Sequence, residues 1–256
     1  MINKLSGILL FSVLYSFCCF SQIGNQGKYP NYFGFQVRTI FPTQFIGEKA
    51  LTISNESFST TITQKMGYSF GATVRAGVTE LIAFETGINF TQRYFSLDMV
   101  HEDSSLVGKN DFGFIQYDIP INALVYIKFT DEFYMNASFG LALGYKPSSI
   151  GSITNVGGVH QFFNIGLVDI NKKIGLDLNA NLGFEYRTKK AGIYYIGGSA
   201  RLPLGPLFGL ISEYRNANYR LTAFGEVEGT YLSLDFKYFL PNFGGGGRYK
   251  PHGPIE

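Results

Sequence analysis

His101 heads the run Glu102, Asp103, Ser104, Ser105, and His160 follows in a later polar segment. An imidazole, a hydroxyl and a carboxylate are the ingredients of a nucleophilic hydrolase, which on the rim of a membrane protein would act on lipid. Against that reading, neighbours in one polar loop seldom converge as a triad, and Ser and Asp are ordinary loop formers. Two loop histidines without a thiolate are a poor metal set. Gly244 to Gly247 precedes no helical pattern, so it reads as a linker and not as a phosphate cradle. The expectation is therefore a non-enzyme with no metal and no cofactor; a lipid-modifying enzyme built on His101 and His160 is the alternative, and a narrow channel the next.

A second set of charged residues asks for a different chemistry. Arg38, Arg75, Glu85, Arg93, Asp118, Lys128, Asp177, Glu185, Arg187, Arg201, Asp235 and Lys237 all fall on the polar phase of segments whose other phase is apolar. Seven are basic and five acidic, which suits an enclosed network of ion pairs. Arg75 with Glu85, diagonally across a tight turn, and Asp235 with Arg38, where the last segment would meet the first, are the expected contacts. Each stabilises only when paired, because a lone buried charge is costly.

The elements that must carry these residues are strands. Period-two alternation marks eight of them, near 32–41, 66–77, 81–93, 114–129, 133–145, 174–187, 193–204 and 229–240. In the sixth, Ile174, Leu176, Leu178, Ala180, Leu182, Phe184 and Tyr186 oppose Gly175, Asp177, Asn179, Asn181, Gly183, Glu185 and Arg187. Connections alternate between long (42–65, 94–113, 146–173, 205–228) and tight (78–80, 130–132, 188–192). An even strand count then puts all long connections at one end and both termini at the other, the arrangement of outer-membrane barrels. Several strands run to about a dozen residues, enough to cross a bilayer at a tilt. The expected fold is all-β: an eight-stranded antiparallel up-and-down transmembrane β-barrel. Its eight strands leave room only for side chains, so the lumen is expected to be filled. Tyr32, Phe129, Phe133, Tyr145, Tyr194 and Tyr238 would form interfacial girdles. Pro120, which lacks an N–H, should mark a bulge in the fourth strand.

The ends and the composition agree with export. Lys4, the apolar stretch from Leu5 to Phe20 and the small residues Cys19 and Ser21 read as a signal peptide over 1–21, followed by a barrel over 22–240 and a flexible periplasmic tail over 241–256. A lipoprotein anchored at Cys18 or Cys19 is disfavoured because Phe17 and Cys18 stand where a small residue is required. Removing the leader takes away both cysteines and Lys4, so a formal charge of +2 becomes +1, too balanced for a nucleic-acid binder. Among 256 residues are 25 Phe, 17 Tyr and 31 Gly, an aromatic and glycine-rich all-β signature, and no segment after the leader is apolar for long enough to span as a helix.

Two long connections are too apolar for freely solvated tips. Phe162 and Phe163 in the third, with Leu207 and Phe208 in the fourth, either pack the rim of prolonged strands or form a surface for a partner or lipid.

The segment Tyr117-Asp118-Ile119-Pro120-Ile121-Asn122, followed by Tyr126-Ile127-Lys128-Phe129, resembles the Y-x-E-I-P-L … Y-K strand of the PorT-like outer-membrane barrel family of Bacteroidota. Ala137 to Tyr145, Leu176 to Tyr186 and Tyr231 to Phe239 resemble the family's later strands in order, with Asp118 and Ala137 standing where Glu and Gly are usual. The resemblance implies an eight-stranded barrel in the cell outer membrane and, for one member, a role in protein secretion; it carries no catalytic residues. The expected partners are thus outer-membrane lipid and other envelope or secretion proteins, with long loops extracellular and termini periplasmic.

Overall fold

The computed structural model describes residues 31–43, 47–79, 81–188 and 190–241. The expected leader and the expected tail beyond Pro241 lie outside the described residues. In chain order the strands are β1 (Asn31–Pro42), β2 (Ala50–Asn55), β3 (Phe58–Gln64), β4 (Gly67–Gly77), β5 (Ile82–His101), β6 (Leu106–Lys128), β7 (Phe133–Tyr145), β8 (Ile150–Val156), β9 (His160–Leu167), β10 (Ile174–Arg187), β11 (Ile193–Pro203), β12 (Phe208–Arg215), β13 (Arg220–Val227) and β14 (Tyr231–Phe239). Eight of them close a ring of antiparallel ladders, β1-β4-β5-β6-β7-β10-β11-β14, with β14 pairing back onto β1. The eight strands expected from alternation are these eight. Closure leaves the wall without a free edge, the condition for β-structure in hydrocarbon.

Tight turns at one end are built by threonines. Thr79 Oγ1 accepts the N–H groups of Leu81 and Ile82 at 3.2 and 2.9 Å. Thr130 Oγ1 accepts from Glu132 and Phe133 at 3.3 and 3.0 Å, and Thr188 Oγ1 from Ala191 at 2.9 Å. Each hydroxyl captures a turn N–H that would otherwise face the interface. At the third turn Gly192 has φ +86°, a left-handed conformation open to glycine without strain.

The outer surface of the wall is apolar. Ile88, Leu182, Ile196 and Leu234 are all more than half exposed, which for a closed barrel means turned to lipid. Near the turns, Phe133 lies 5.9 Å from Phe129 and 5.6 Å from Phe184, while Tyr194 and Tyr238 are 5.1 Å apart. These rings, together with Tyr145 at the far end of β7, face outward as the girdle residues should. Tyr32 does not: it alternates with the outward Phe33 and meets Phe239 edge-on at 6.4 Å, on the inner side. Pro120 is a second correction. Between Thr86↔Ile121 and Asn89↔Asp118 the β5–β6 ladder skips its rungs, yet the register is the same on both sides. The missing N–H interrupts pairing without inserting a residue, so no bulge forms.

The largest departure lies at the other end, where the long connections are not loops. β5 and β6 run on past the wall as one hairpin, β3 pairs with β5 and β2 with β3. Facing them is a separate sheet in the order β13-β12-β9-β8. Its two edges are tied by side chains, Asn55 Nδ2 donating to the Thr222 carbonyl at 2.8 Å and Asn110 Nδ2 to Thr154 Oγ1 at 2.9 Å. The two sheets enclose an apolar core that includes Ile53, Phe58, Phe95, Leu97, Phe162, Phe208 and Leu210.

Polarity therefore inverts along strands that never change phase. On β5 the inward residues Glu85, Asn89, Thr91 and Arg93 give way to Phe95, Leu97 and Met99, while outward Phe84 and Ile88 give way to Ser96 and Asp98. On β6 inward Phe112 and Phe114 precede Gln116 and Asp118, and outward Lys109 and Asp111 precede Ile115 and Ile119. Gln92 pairs with Ile115 and Tyr94 with Gly113, so both strands place the lipid boundary on the same rungs. From Ile82 to Tyr94, β5 exceeds the roughly 9–11 residues that a tilted strand needs to cross. Leu182→Arg, in the middle of β10 on the lipid side, should lower the stability of the barrel in vesicles by about 2–4 kcal/mol. Val107→Arg, outward but beyond the boundary, should stay within about 0.5 kcal/mol; urea titration followed by electrophoretic mobility separates the two.

Candidate functional site

Of the twelve charged residues expected in the lumen, ten are buried. Arg187 and Lys128 stand at the turn-side mouth, with side chains 14% and 29% exposed. Among the buried ten, Arg38, Arg75, Arg93, Arg201 and Lys237 face Glu85, Asp118, Asp177, Glu185 and Asp235, five cations against five carboxylates.

Nearest the turns, Arg75 is the hub. Its Nη2 donates to Glu85 Oε2 at 2.8 Å and its Nη1 to Glu185 Oε2 at 2.7 Å. Lys237 binds the other oxygen of Glu85, and Asn136 Nδ2 donates to Glu185 Oε1 at 2.6 Å. Arg75 also lies over the Phe239 ring at 4.1 Å, and Arg187 over Tyr134 at 4.0 Å. Arg75 and Glu85 sit directly opposite on β4 and β5, not diagonally. The Tyr195 ring crosses the paired Gly183 and Gly197; a Cβ on Gly197 would lie 2.6 Å from its Cζ, so glycine is what lets the phenol lie flat.

Midway up, Arg38 Nε is 3.3 Å from Asp235 Oδ2, across the β1–β14 seam that closes the ring. Asn181, Ser199 and Ser233 fill the remaining acceptor sites of Asp235 at 3.1, 2.8 and 2.6 Å. Higher still, Arg201 bridges Asp177 at 2.8 Å and Asp118 at 2.7 Å. Gln116 and Thr91 complete Asp118 at 2.8 and 2.7 Å. Arg93 lies above this group, over the Tyr231 ring at 5.0 Å, with Nε and Nη2 lacking a hydrogen-bond partner among the described residues.

A closed ring with ion pairs inside and bare aliphatic and aromatic side chains outside has the polarity that a bilayer demands and water forbids. The chain is a transmembrane β-barrel of the outer-membrane type. No protein-family model matches its sequence, and no curated protein matches it. Among solved structures it is similar to the outer membrane protein OprG from Pseudomonas aeruginosa, at 10% identity and a TM-score of 0.48, over 82% of this chain and 95% of that one. It is also similar to the β-domain of the Bordetella autotransporter BrkA, at 11% identity and a TM-score of 0.29, over 81% of this chain and 98% of that one.

The residues considered for a hydrolase lie at the tips of the extension. His101 is buried at the far tip of the extension, stacked on Tyr214 at 4.1 Å. Its Nδ1 accepts the backbone N–H of Ser104 at 3.3 Å, so in the neutral ring Nε2 carries the hydrogen and points to Tyr219 Oη at 3.3 Å and Ser57 Oγ at 3.5 Å. In that tautomer the ring's lone pair is on Nδ1 and is engaged by a backbone amide. Glu102 enters through its backbone N–H, bound to the Ser57 carbonyl at 2.8 Å, and Ser105 has φ 50° in the turn. His160 meets the same tyrosine from the other sheet, Nδ1 to Tyr214 Oη at 2.6 Å. The two histidines thus pin the tips of the two sheets together through one tyrosine, a contact that sequence reasoning did not foresee.

Three of the four residues expected as a possible partner surface are buried. Phe162, Leu207 and Phe208 are at most 3% exposed, inside the apolar core of the extension. Phe163 is half-buried on the outside, beneath Arg215 at 4.8 Å. Of the two readings offered for these residues, rim packing by prolonged strands is the one that matches their placement.

Proposed function

We propose that this chain is a non-enzymatic barrel with a filled lumen that anchors a folded extracellular module, and that it serves as a structural or interaction protein of the outer membrane. In this reading the extension faces outward and the threonine turns face the periplasm. One observation carries the proposal. The lumen is occupied by matched ion pairs and is roofed by an apolar core, so the investment of the fold lies in displaying the extension, and a water path along the axis meets charged plugs and then Phe95, Phe114 and Phe208. The resemblance of Tyr117 to Phe129 to the PorT-like family of Bacteroidota adds an accessory role in secretion or envelope assembly to the same reading, with envelope proteins as partners. Purified chain in planar bilayers should give no discrete conductance steps; reproducible steps would replace this reading with the channel. The double variant His101→Phe/His160→Phe should leave the lipid A and phospholipid profiles of the cells unchanged, whereas an altered profile would favour the lipid-modifying enzyme.

A further inference from the structure

At the lipid boundary the separate upper sheet parts from the wall over β7, β10 and β11, and the gap is a cleft of about 450 Å3, within the ordinary range for small-molecule sites. Its inner end is cationic. Lys146, only 7% exposed, reaches over Gly175, where a Cβ would find nothing nearer than the Lys146 Nζ at 3.9 Å. That Nζ makes a hydrogen bond to the Pro206 carbonyl at 3.2 Å, which leaves donors for something else. The carboxylate on the same wall, Asp177, already holds Arg201 at 2.8 Å. Lys172 also lines the cleft. Behind the wall, Arg93 Nη1, Pro203 Cγ and Leu207 Cβ converge at 2.8, 3.2 and 3.4 Å from the vacant Cβ position of Gly229. The guanidinium, with two unpartnered nitrogens among the described residues, thus lies behind Pro203 and Leu207, two residues that line the cleft. Burial lowers the Lys146 ammonium below its usual range, and the attraction of Asp177, a carboxylate already committed to Arg201, offsets this only in part.

The outer end of the cleft has the opposite character. Ile174 and Leu204 are 69% and 58% exposed, and with Leu176 they form an aliphatic channel from the cations to the lipid-facing side of β10. We propose that the cleft binds an amphiphile with one alkyl chain and an anionic headgroup, carboxylate or phosphate: the headgroup on Lys146 and Lys172, the chain along Ile174, Leu176 and Leu204 toward the bilayer. A buried cation whose nearest carboxylate is shared with Arg201 supplies the affinity for the head, and the exposed apolar surface of Ile174 and Leu204 supplies that for the tail.

The test uses the full chain in nanodiscs of neutral phosphatidylcholine, titrated calorimetrically. Decanoate and decyl phosphate should each bind saturably at one site, and the tighter of the two identifies a fatty acid or a phosphate-headed lipid as the source. Decyltrimethylammonium, with the same tail and the opposite charge, and inorganic phosphate, with no tail, should not bind. Lys146→Gln should weaken both anions by roughly tenfold or more, and Lys146→Arg should restore them. Gly175→Leu, which fills the space under Lys146, should abolish binding while keeping the heat-modifiable mobility of a folded barrel. Equal binding of the cationic amphiphile, or unchanged affinity in Lys146→Gln, would overturn the proposal. If Gly175→Leu fails to fold, the Gln and Arg variants decide alone.

Discussion

Arg75→Met is expected to destabilise the barrel by about 3–5 kcal/mol, because it strips the shared cation from two carboxylates that remain buried. Glu85 keeps Lys237, but Glu185 is left with Asn136 and with Arg187 at 3.7 Å. Glu85 and Glu185 are at most 3% exposed, so the loss falls on the folded state. The control is the double variant Arg75→Met/Glu185→Met, which removes one charge of each sign and should recover most of the loss, since replacing a buried pair by apolar groups of similar volume is often nearly neutral. The chain contains no Trp, so unfolding in urea is best followed by electrophoretic mobility or tyrosine fluorescence. Equal stability of Arg75→Met and the parent chain would mean that the lumen is wet enough to solvate the freed carboxylates.

That hub also shows how far a single sequence can be read. Arg75 with Glu85 and Arg38 with Asp235 were legible because they are cross-strand neighbours, and adjacency follows from the tight turn in one case and from ring closure in the other. The bonds that weld the lumen across its width were not: Arg75 to Glu185 joins β4 to β10, Lys237 to Glu85 joins β14 to β5, and Arg201 to Asp118 joins β11 to β6. None of those strands are neighbours in the ring. Which side chains meet across a barrel depends on the stagger of its strands, and period-two alternation carries no information about that.

The extension escaped for a different reason. Alternation with the apolar phase outward ends β5 at Arg93 and begins β6 at Phe114, the residues where the polarity of the two faces exchanges. The structure continues both strands with the phase intact, to His101 and from Leu106. An inversion of environment thus looks like the end of an element. The smaller strands were hidden by their composition as well: β3 reads Phe-Ser-Thr-Thr-Ile-Thr-Gln, and its inward Thr60 is matched by Ser212 Oγ at 2.6 Å, not by a hydrocarbon. A polar pair fully satisfied inside an apolar core leaves no hydrophobic period to find.

Phe162→Ala separates the two storeys of the molecule. The ring stacks on Phe58 at 5.9 Å, lies 5.5 Å from Tyr214 and rests on Gly108, where a Cβ would come within 2.6 Å of it. Truncation therefore opens a cavity against the Gly108 backbone, with Met99, whose Cε lies 3.2 Å from the same Cβ position, as the side chain there that can relax into it. The expected loss is in the range of about 3–5 kcal/mol found for large aromatic residues in cores. It should be confined to the extension, since β9 belongs to a sheet that shares no ladder with the wall. Limited proteolysis of the purified chain should cut within the upper strands of the variant while its barrel keeps the heat-modifiable mobility of the parent. Phe163→Ala, which removes only a half-buried ring beneath Arg215, should cost no more than about 1 kcal/mol. Had Phe162 been an anchor for a partner, its removal would leave the isolated chain as protease-resistant as before. That result would also dissolve the apolar roof over the lumen, and with it the reason why an ion-paired barrel carries a second, oppositely polarised core.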